Sequence, residues 1–335
     1  MKKILIILLF LFCIKINASV VVMDGDSGRV LYEKNMNEKK LIASTTKIMT
    51  SIIALENGRL NDKYVVGEEI KEVNGSMIYS KIGEKFTLND LLHGLMLQSG
   101  NDAAMTIAKN VMNYDEFIAN MNIKAFKLGM YNTSFENPHG LNDNTKNIST
   151  AYDMALLMKY AIKNKDFLNI TRTKKYKVNN YIWYNKNDLL NDYKYTLSGK
   201  IGYTKKSGQV FVSSAVKNNK TLIVVSIDES DKFNLHKRLY EKYFEIYDRY
   251  KVLDKNSFSY KIKTSGYDNY YINKDYYMLL KEEEKNKISI KANINNYFSY
   301  ASIYLDNRLI HNEKIYKLSY EKRNKEVKGL LSIFK

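Results

Sequence analysis

Val20 to Met23 is a continuous apolar run, Asp24-Gly25-Asp26-Ser27-Gly28 interrupts it, and Arg29 to Lys34 resumes. The pattern predicts strand, turn, strand, with the Asp/Gly-rich centre as the hairpin signal. The apolar period then changes. Ile48, Met49, Ile52, Ile53 and Leu55 follow helical spacing and predict a helix from Ser44 to Gly58, closed by Asn57-Gly58. Thr87-Leu88-Asn89-Asp90 has the form of a capping box and opens a helix to about Gln98. Ser99-Gly100-Asn101 breaks that helix, Asp102 to Met112 resumes it, and Asp115 to Met130 forms a third helical pattern. Asn137-Pro138-His139-Gly140 is a turn and holds the only proline. Ser149 is expected to cap a fourth helix running to about Lys163.

Alternation returns near residue 199. Gly199 to Thr204, Gln209 to Val216 and Thr221 to Ile227 read as three consecutive antiparallel strands, the last two joined by Lys217-Asn218-Asn219-Lys220. Asp231 to Tyr247 is amphipathic and closes the first domain. Strands at both ends with helices between predict an α+β domain whose sheet is built from both ends. Near Arg249 helix signals fade. Short alternating runs such as Tyr260 to Lys263 and Ile288 to Ala292 predict a second, small all-β domain over 248–320. Val327, Leu330, Leu331 and Phe334 then recur at helical spacing among Lys322, Arg323, Lys325 and Lys328, the pattern of a basic amphipathic helix over 321–335.

The N-terminus adds a compartment. Lys2 and Lys3 precede the uncharged apolar run Ile4 to Ile14, too short to span a bilayer, and Ala18 suits the last position before cleavage. Residues 1–18 are therefore expected to be a secretory signal, with the domain that follows occupying 19–247. Phe12 stands where a lipoprotein signal needs a small residue, so Cys13 belongs to the apolar run; a mature chain without it has no disulfide, thiol nucleophile or cysteine-ligated metal. The formal charge of +17 falls to +14 without Lys2, Lys3 and Lys15. The basic residues are dispersed and form no arm or stripe. The acidic partners expected of an exported chain are anionic lipids and wall polymers, not nucleic acid.

Candidate chemistry begins at Ser44-Thr45-Thr46-Lys47. On a helix, positions three apart share a face, which sets an amine beside a hydroxyl. A lysine of depressed pKa can deprotonate a serine and make it a nucleophile. A lone S-x-x-K is weak evidence, equally served by a helix N-cap and a surface lysine. Two further polar elements change this: Ser99-Gly100-Asn101 between helices, and Lys200-Ile201-Gly202 opening a strand. With these three motifs in order the chain resembles the serine D-alanyl-D-alanine carboxypeptidases, the low-molecular-mass penicillin-binding proteins, whose motifs are S-x-x-K, S-x-N and K-T-G. The flanking stretches match as well: Ile42 to Thr50, Gln98 to Ala104, Asn137 to Leu141 and Ser149 to Met154. The resemblance covers Ser19 to Tyr247 strongly and 250–318 more loosely, with Tyr304-Leu305-Asp306 as the best local match there.

The resemblance implies an α+β fold of the β-lactamase and penicillin-binding-protein type, an antiparallel sheet flanked by helices, followed by a small all-β domain. It implies that Ser44 attacks the terminal D-Ala-D-Ala bond of a peptidoglycan stem pentapeptide, is acylated, and is likewise acylated by β-lactams. Lys47 is the base, with a pKa lowered by burial and by Lys200. Ser99 relays the proton to the leaving amine, and Asn101 holds Lys47 and the substrate amide. Backbone N–H groups of Ser44 and Tyr203 form the oxyanion hole, and Lys200 with Gly202 lines the carboxylate site. No cofactor or metal is implied. Isoleucine replaces the K-T-G threonine at 201; Thr204, further along the strand, is the candidate replacement hydroxyl. A lost charge-assisted hydrogen bond of roughly 1.5–3 kcal/mol would leave an active but weaker enzyme.

Two other readings compete. A class A β-lactamase shares the three motifs but adds an E-x-x-L-N element, absent between Asn101 and Lys200. A wall-binding or regulatory homologue with weakened catalysis would draw on Ile201 alone. His139 is expected to be structural; His93, His236 and His311 make no ligand spacing. Glu282-Glu283-Glu284 reads as a solvated loop, and Trp183 with its tyrosines either joins the core or edges the groove. The tail is expected to lie on the outer face of the cytoplasmic membrane, with a frayed soluble end as the alternative.

Overall fold

The computed structural model describes residues 18–143, 146–262, 268–294 and 298–317. The expected signal segment up to residue 17 and the basic tail lie outside the described residues. The expected first hairpin is β1 (Ser19–Asp24) and β2 (Val30–Lys34). The late strands are β3 (Thr196–Thr204), β4 (Gly208–Lys217) and β5 (Lys220–Ile227). They form one antiparallel sheet in the order β2-β1-β5-β4-β3, with Val21 opposite Val225 where the two ends of the chain meet. Every residue of β1 is buried because both faces of the sheet are covered.

Alternate positions divide two cores. Val21, Met23, Val210, Val212, Ile223 and Val225 pack under a helical layer. Val22, Phe211, Ala215, Leu222 and Val224 pack on the opposite face against Tyr240 and Phe244. The helical layer contains α1 (Lys47–Asn57), α2 (Leu88–His93), α3 (Asn101–Val111), α4 (Tyr114–Lys127), α5 (Ala151–Ala161) and α6 (Lys165–Arg172). Helix α7 (Lys232–Ile246) covers the other face and supplies Tyr240 and Phe244.

Two boundaries differ from expectation. The capping box forms at Thr87 and Asp90, but the helix it opens loosens into a wider turn over Gly94–Gln98. Thr150, not Ser149, caps α5 by accepting from the Asp153 N–H, while Ser149 lies in a short strand against Lys40. Helix α6 and the hairpin Lys175–Val178 with Tyr181–Tyr184 carry no strong sequence signal. The hairpin buries Trp183 against Phe86, Tyr176 and Tyr181, which places the tryptophan in the core.

The C-terminal region is all-β among the described residues. Ile288–Ile294, Ser299–Leu305 and Arg308–Lys314 make an antiparallel meander, and Asp248–Leu253 pairs with Tyr276–Leu280. Met278, Leu280, Ala301, Ile303 and Ile315 form its own core. The first hairpin grips it on both sides of Leu279, where Asp24 accepts the N–H at 2.9 Å and Arg29 donates to the carbonyl at 2.9 Å, and Asp26 accepts from Arg249 at 2.6 Å. Arg29 also pairs with Glu284, whose side chain is largely buried. The acidic triplet is therefore not a solvated loop. Glu284 anchors the C-terminal region, while Glu282 and Glu283 remain exposed.

Candidate active site

Ser44 lies in a tight turn, Ala43–Thr46, that leads directly into α1. The turn is held by Thr45, whose N–H and hydroxyl both donate to the Ile42 carbonyl, at 3.2 and 2.6 Å. Ala43 adopts a left-handed φ of 45°, and Gly140 (φ 92°) packs on its carbonyl so closely that a Cβ would lie 2.0 Å from the oxygen. Only glycine fits there. Ser44 makes no capping hydrogen bond to the helix. Its Oγ is instead 3.0 Å from Lys47 Nζ.

Lys47 is completely buried. Its Nζ also contacts Asn101 Oδ1 at 2.6 Å and the His139 carbonyl at 2.7 Å. The Asn101 amide is fixed in orientation, because its nitrogen donates to the Asn74 carbonyl at 2.5 Å. Two of the three partners of Lys47 can therefore only accept; the third, a hydroxyl, can donate. An ammonium donating to all three partners satisfies this set, and so does a neutral amine that donates to Asn101 and His139 and accepts from the Ser44 hydroxyl. Burial first, then the charge of Lys200, holds the Lys47 pKa well below the usual lysine range.

Lys200 is buried too, with Nζ 3.0 Å from Ser99 Oγ and 2.9 Å from the Ile201 carbonyl. Burial, followed by the charge of Lys186, brings it down to about 7. Ser99 sits in a left-handed conformation (φ 65°, ψ 34°) at the end of the loosened turn, between α2 and α3. Gly202 brings β3 against the nucleophile; a Cβ there would lie 2.9 Å from the Ser44 nitrogen.

Ser44, Lys47, Ser99, Asn101 and Lys200 thus converge from three separate stretches of chain. Ile201 does not join them. It pairs opposite Phe211 and packs in the α7-facing core, so Lys200 and Gly202 take the site side of the strand. Tyr203 is largely exposed, and the Thr204 hydroxyl is held in the β3–β4 turn by Ser207 at 2.9 Å.

The D-alanyl-D-alanine carboxypeptidase family matches residues 14–231. The chain belongs to that family. The carboxypeptidase DacF of Bacillus subtilis (strain 168) is 36% identical over 218 residues, covering 62% of this chain and 56% of the relative. DacC of Escherichia coli (strain K12) is 36% identical over 219 residues, covering 61% of this chain and 54% of the relative. The matched stretch thus spans just over half the length of these relatives. Penicillin binding protein 5 from Haemophilus influenzae shares the fold, with a TM-score of 0.76 at 22% identity over 90% of this chain and 96% of that one.

Sequence reasoning missed several residues of this carboxypeptidase-family site. Lys186 has no motif, yet its amine donates to the Gln98 carbonyl at 2.9 Å and its charge acts on both buried lysines. His139 contributes its backbone carbonyl; its ring is kept neutral, with a pKa down to about 3 through burial and then Lys47. Asp102 follows the S-x-N motif and is buried; it accepts from the N–H groups of Ile78 and Ser80 at 2.9 and 3.2 Å. With the Asn101 N–H donating to the Ser76 carbonyl at 2.7 Å, these bonds bolt the 74–80 loop onto the Ser99-Gly100-Asn101 turn. The other histidines are structural: His236 lies buried between Ser213 and Ser226, His93 stacks on Tyr176 and His311 on Tyr276.

Proposed function

We propose that the protein is a serine D-Ala-D-Ala carboxypeptidase that removes the terminal D-alanine from peptidoglycan stem pentapeptides. The observation that carries this reading is the convergence of Ser44, Lys47, Ser99, Asn101 and Lys200, with Lys47 Nζ 3.0 Å from Ser44 Oγ and its pKa held well below the usual lysine range by burial and then Lys200. In the reaction, Lys47 takes that proton as Ser44 Oγ bonds to the scissile carbonyl carbon. The oxyanion is held by the N–H groups of Ser44 and Tyr203. Ser99 passes a proton to the departing nitrogen, the C–N bond breaks, and D-alanine leaves an acyl-Ser44 ester that water hydrolyses. Lys200 faces the terminal carboxylate. A β-lactam follows the same first steps and leaves Ser44 acylated.

The same reading keeps 19–247 as the catalytic domain and 248–320 as an accessory β domain. It keeps the chain exported and places it on the outer face of the cytoplasmic membrane through the tail. Benzylpenicillin followed by intact-mass and peptide analysis tests the chemistry: the reading requires one adduct, on Ser44, lost in Ser44→Ala. An adduct elsewhere, or none, contradicts it.

A further inference from the structure

Tyr79 is the most conspicuous residue near the site that the mechanism leaves unused. Its backbone is left-handed (φ 62°), a genuine outlier for a bulky residue. Its side chain is 76% exposed. Such strain persists only where the surroundings over-determine it, and here they do. Asp102 holds the N–H of Ile78 and of Ser80 on either side, and the Tyr181 hydroxyl, 2.9 Å from the Glu84 carboxylate, also lies 3.1 Å from the Tyr79 carbonyl. Ile78 packs on Gly100, at the centre of the S-x-N turn. The ring is therefore held out into solvent by the same carboxylate that braces the catalytic turn.

The ring borders a cleft of about 370 Å³ that also includes Gln98, Asn180, Tyr181, Ile182 and Trp183. Gln98 immediately precedes Ser99, so the cleft adjoins the proton relay. The chain carries 53 basic and 36 acidic residues, yet no charged side chain lines this cleft. The rings of Tyr79, Tyr181 and Trp183, the aliphatic side chains of Met77, Ile78 and Ile182, and two carboxamides remain. An N-acetylated pyranose matches that chemistry: its C–H face lies against an aromatic ring, and its hydroxyl and acetamido rim both donates and accepts hydrogen bonds, as carboxamides do.

We propose that Tyr79 and this cleft form a subsite for the N-acetylated glycan to which the stem peptide is attached. The proposal rests on the reading of the site as a peptidoglycan carboxypeptidase. The substrate is then held at two points, the peptide at Ser44 and the sugar at Tyr79.

The test uses the chain's single tryptophan, Trp183, which is buried in the core and also borders the cleft, so its emission is expected to change when the cleft is filled. Ser44→Ala protein is titrated with an N-acetylglucosamine tetrasaccharide and Trp183 emission is followed. A saturable change is expected, weakened at least tenfold by Tyr79→Gly and largely retained in Tyr79→Phe. Glycine relieves the left-handed strain, so Tyr79→Gly is also expected to melt no lower than its parent, which separates ring loss from misfolding. In the active protein, Tyr79→Gly is expected to cut at least tenfold the preference, by kcat/KM, for a disaccharide-linked pentapeptide over the sugar-free peptide. No saturable emission change, an unchanged affinity in Tyr79→Gly, or equal losses on both substrates, which would assign the ring to the peptide, overturns the proposal. Sugar binding without any D-alanine release would leave the subsite standing and sink the carboxypeptidase reading.

Discussion

The Asn101 carboxamide oxygen sits 2.6 Å from the Lys47 amine, while the nitrogen of the same amide is tied to the Asn74 carbonyl. The contact offers Lys47 an uncharged acceptor where a carboxylate would fit equally well by size. Asn101→Asp would place a negative charge against Lys47 and raise its pKa by ~1–3 units. The acid limb of the acylation rate should move to higher pH by that amount. Below the shifted limb the variant should acylate more slowly than wild type, and it should recover in alkali. A limb that stayed in place would mean that Lys47 is not the base.

The wild-type pH profile follows from the same two lysines. On the proposed mechanism Lys47 works unprotonated, and its depressed pKa keeps it so to well below the ordinary lysine range; the acid limb should appear where it becomes protonated. Lys200 works protonated, so kcat/KM for the free enzyme should decline as pH rises through about 7. Replacing the peptide's terminal carboxylate by an amide should flatten the alkaline limb.

Lys200 also carries a stability cost of known sign. Its folded pKa of about 7 lies below the ordinary value of 10.5, so between these values the unfolded chain binds more protons. Stability contributed by this group therefore rises with pH through that window, and the penalty is complete below it. Lys200→Met should melt higher than wild type at pH 7, converge with it toward pH 10, and lose D-alanine release. Thermal melts at several pH values check this.

Gly140 and Gly202 test the nucleophile's mounting. Gly140→Ala drives a Cβ into the Ala43 carbonyl at a positive φ and should cost at least about 2 kcal/mol in urea unfolding. Gly202→Ala leaves φ unstrained but sets a Cβ 2.9 Å from the Ser44 nitrogen, so the turn must shift; it should cost less stability than Gly140→Ala and acylate at least tenfold more slowly.

Ile201→Thr has a different expected outcome from the one its sequence position implies. The side chain packs beside Phe211 on the α7 face, away from Lys47. Threonine there should change penicillin acylation less than threefold and lower stability by about 1 kcal/mol through lost apolar contact. A tenfold gain in acylation would mean that the hydroxyl reaches the substrate.

The sheet and the five converging polar side chains were legible because their signals are local. The motif's three-residue spacing brings hydroxyl and amine together through the tight Ala43–Thr46 turn that leads into α1, although the sequence reads it as helix from Ser44, and alternation fixes which residues of β3 share the Lys200 face. Alternation also puts Ile201 on the other side; what sequence alone did not give was that this side is an apolar core with Phe211 in it. The 74–80 loop was illegible because backbone groups reaching Asp102 and Asn101 hold it, and backbone partners leave no residue-type signature. Glu284 looked like one of three exposed acids because its partner, Arg29, is 255 positions away. Ser149 lost the capping role to its neighbour Thr150, a one-residue shift that two adjacent hydroxyls cannot resolve.

The central claim, that Ser44 and a neutral Lys47 open the terminal D-Ala-D-Ala bond, meets its most direct test in free D-alanine. Chain from Ser19 onward is incubated with a pentapeptide ending in D-Ala-D-Ala, beside Ser44→Ala and Lys47→Ala. The account predicts steady release by the wild type and none above background by either variant. Release that persists in Ser44→Ala, or a wild type that neither releases D-alanine nor is acylated by penicillin, would contradict it.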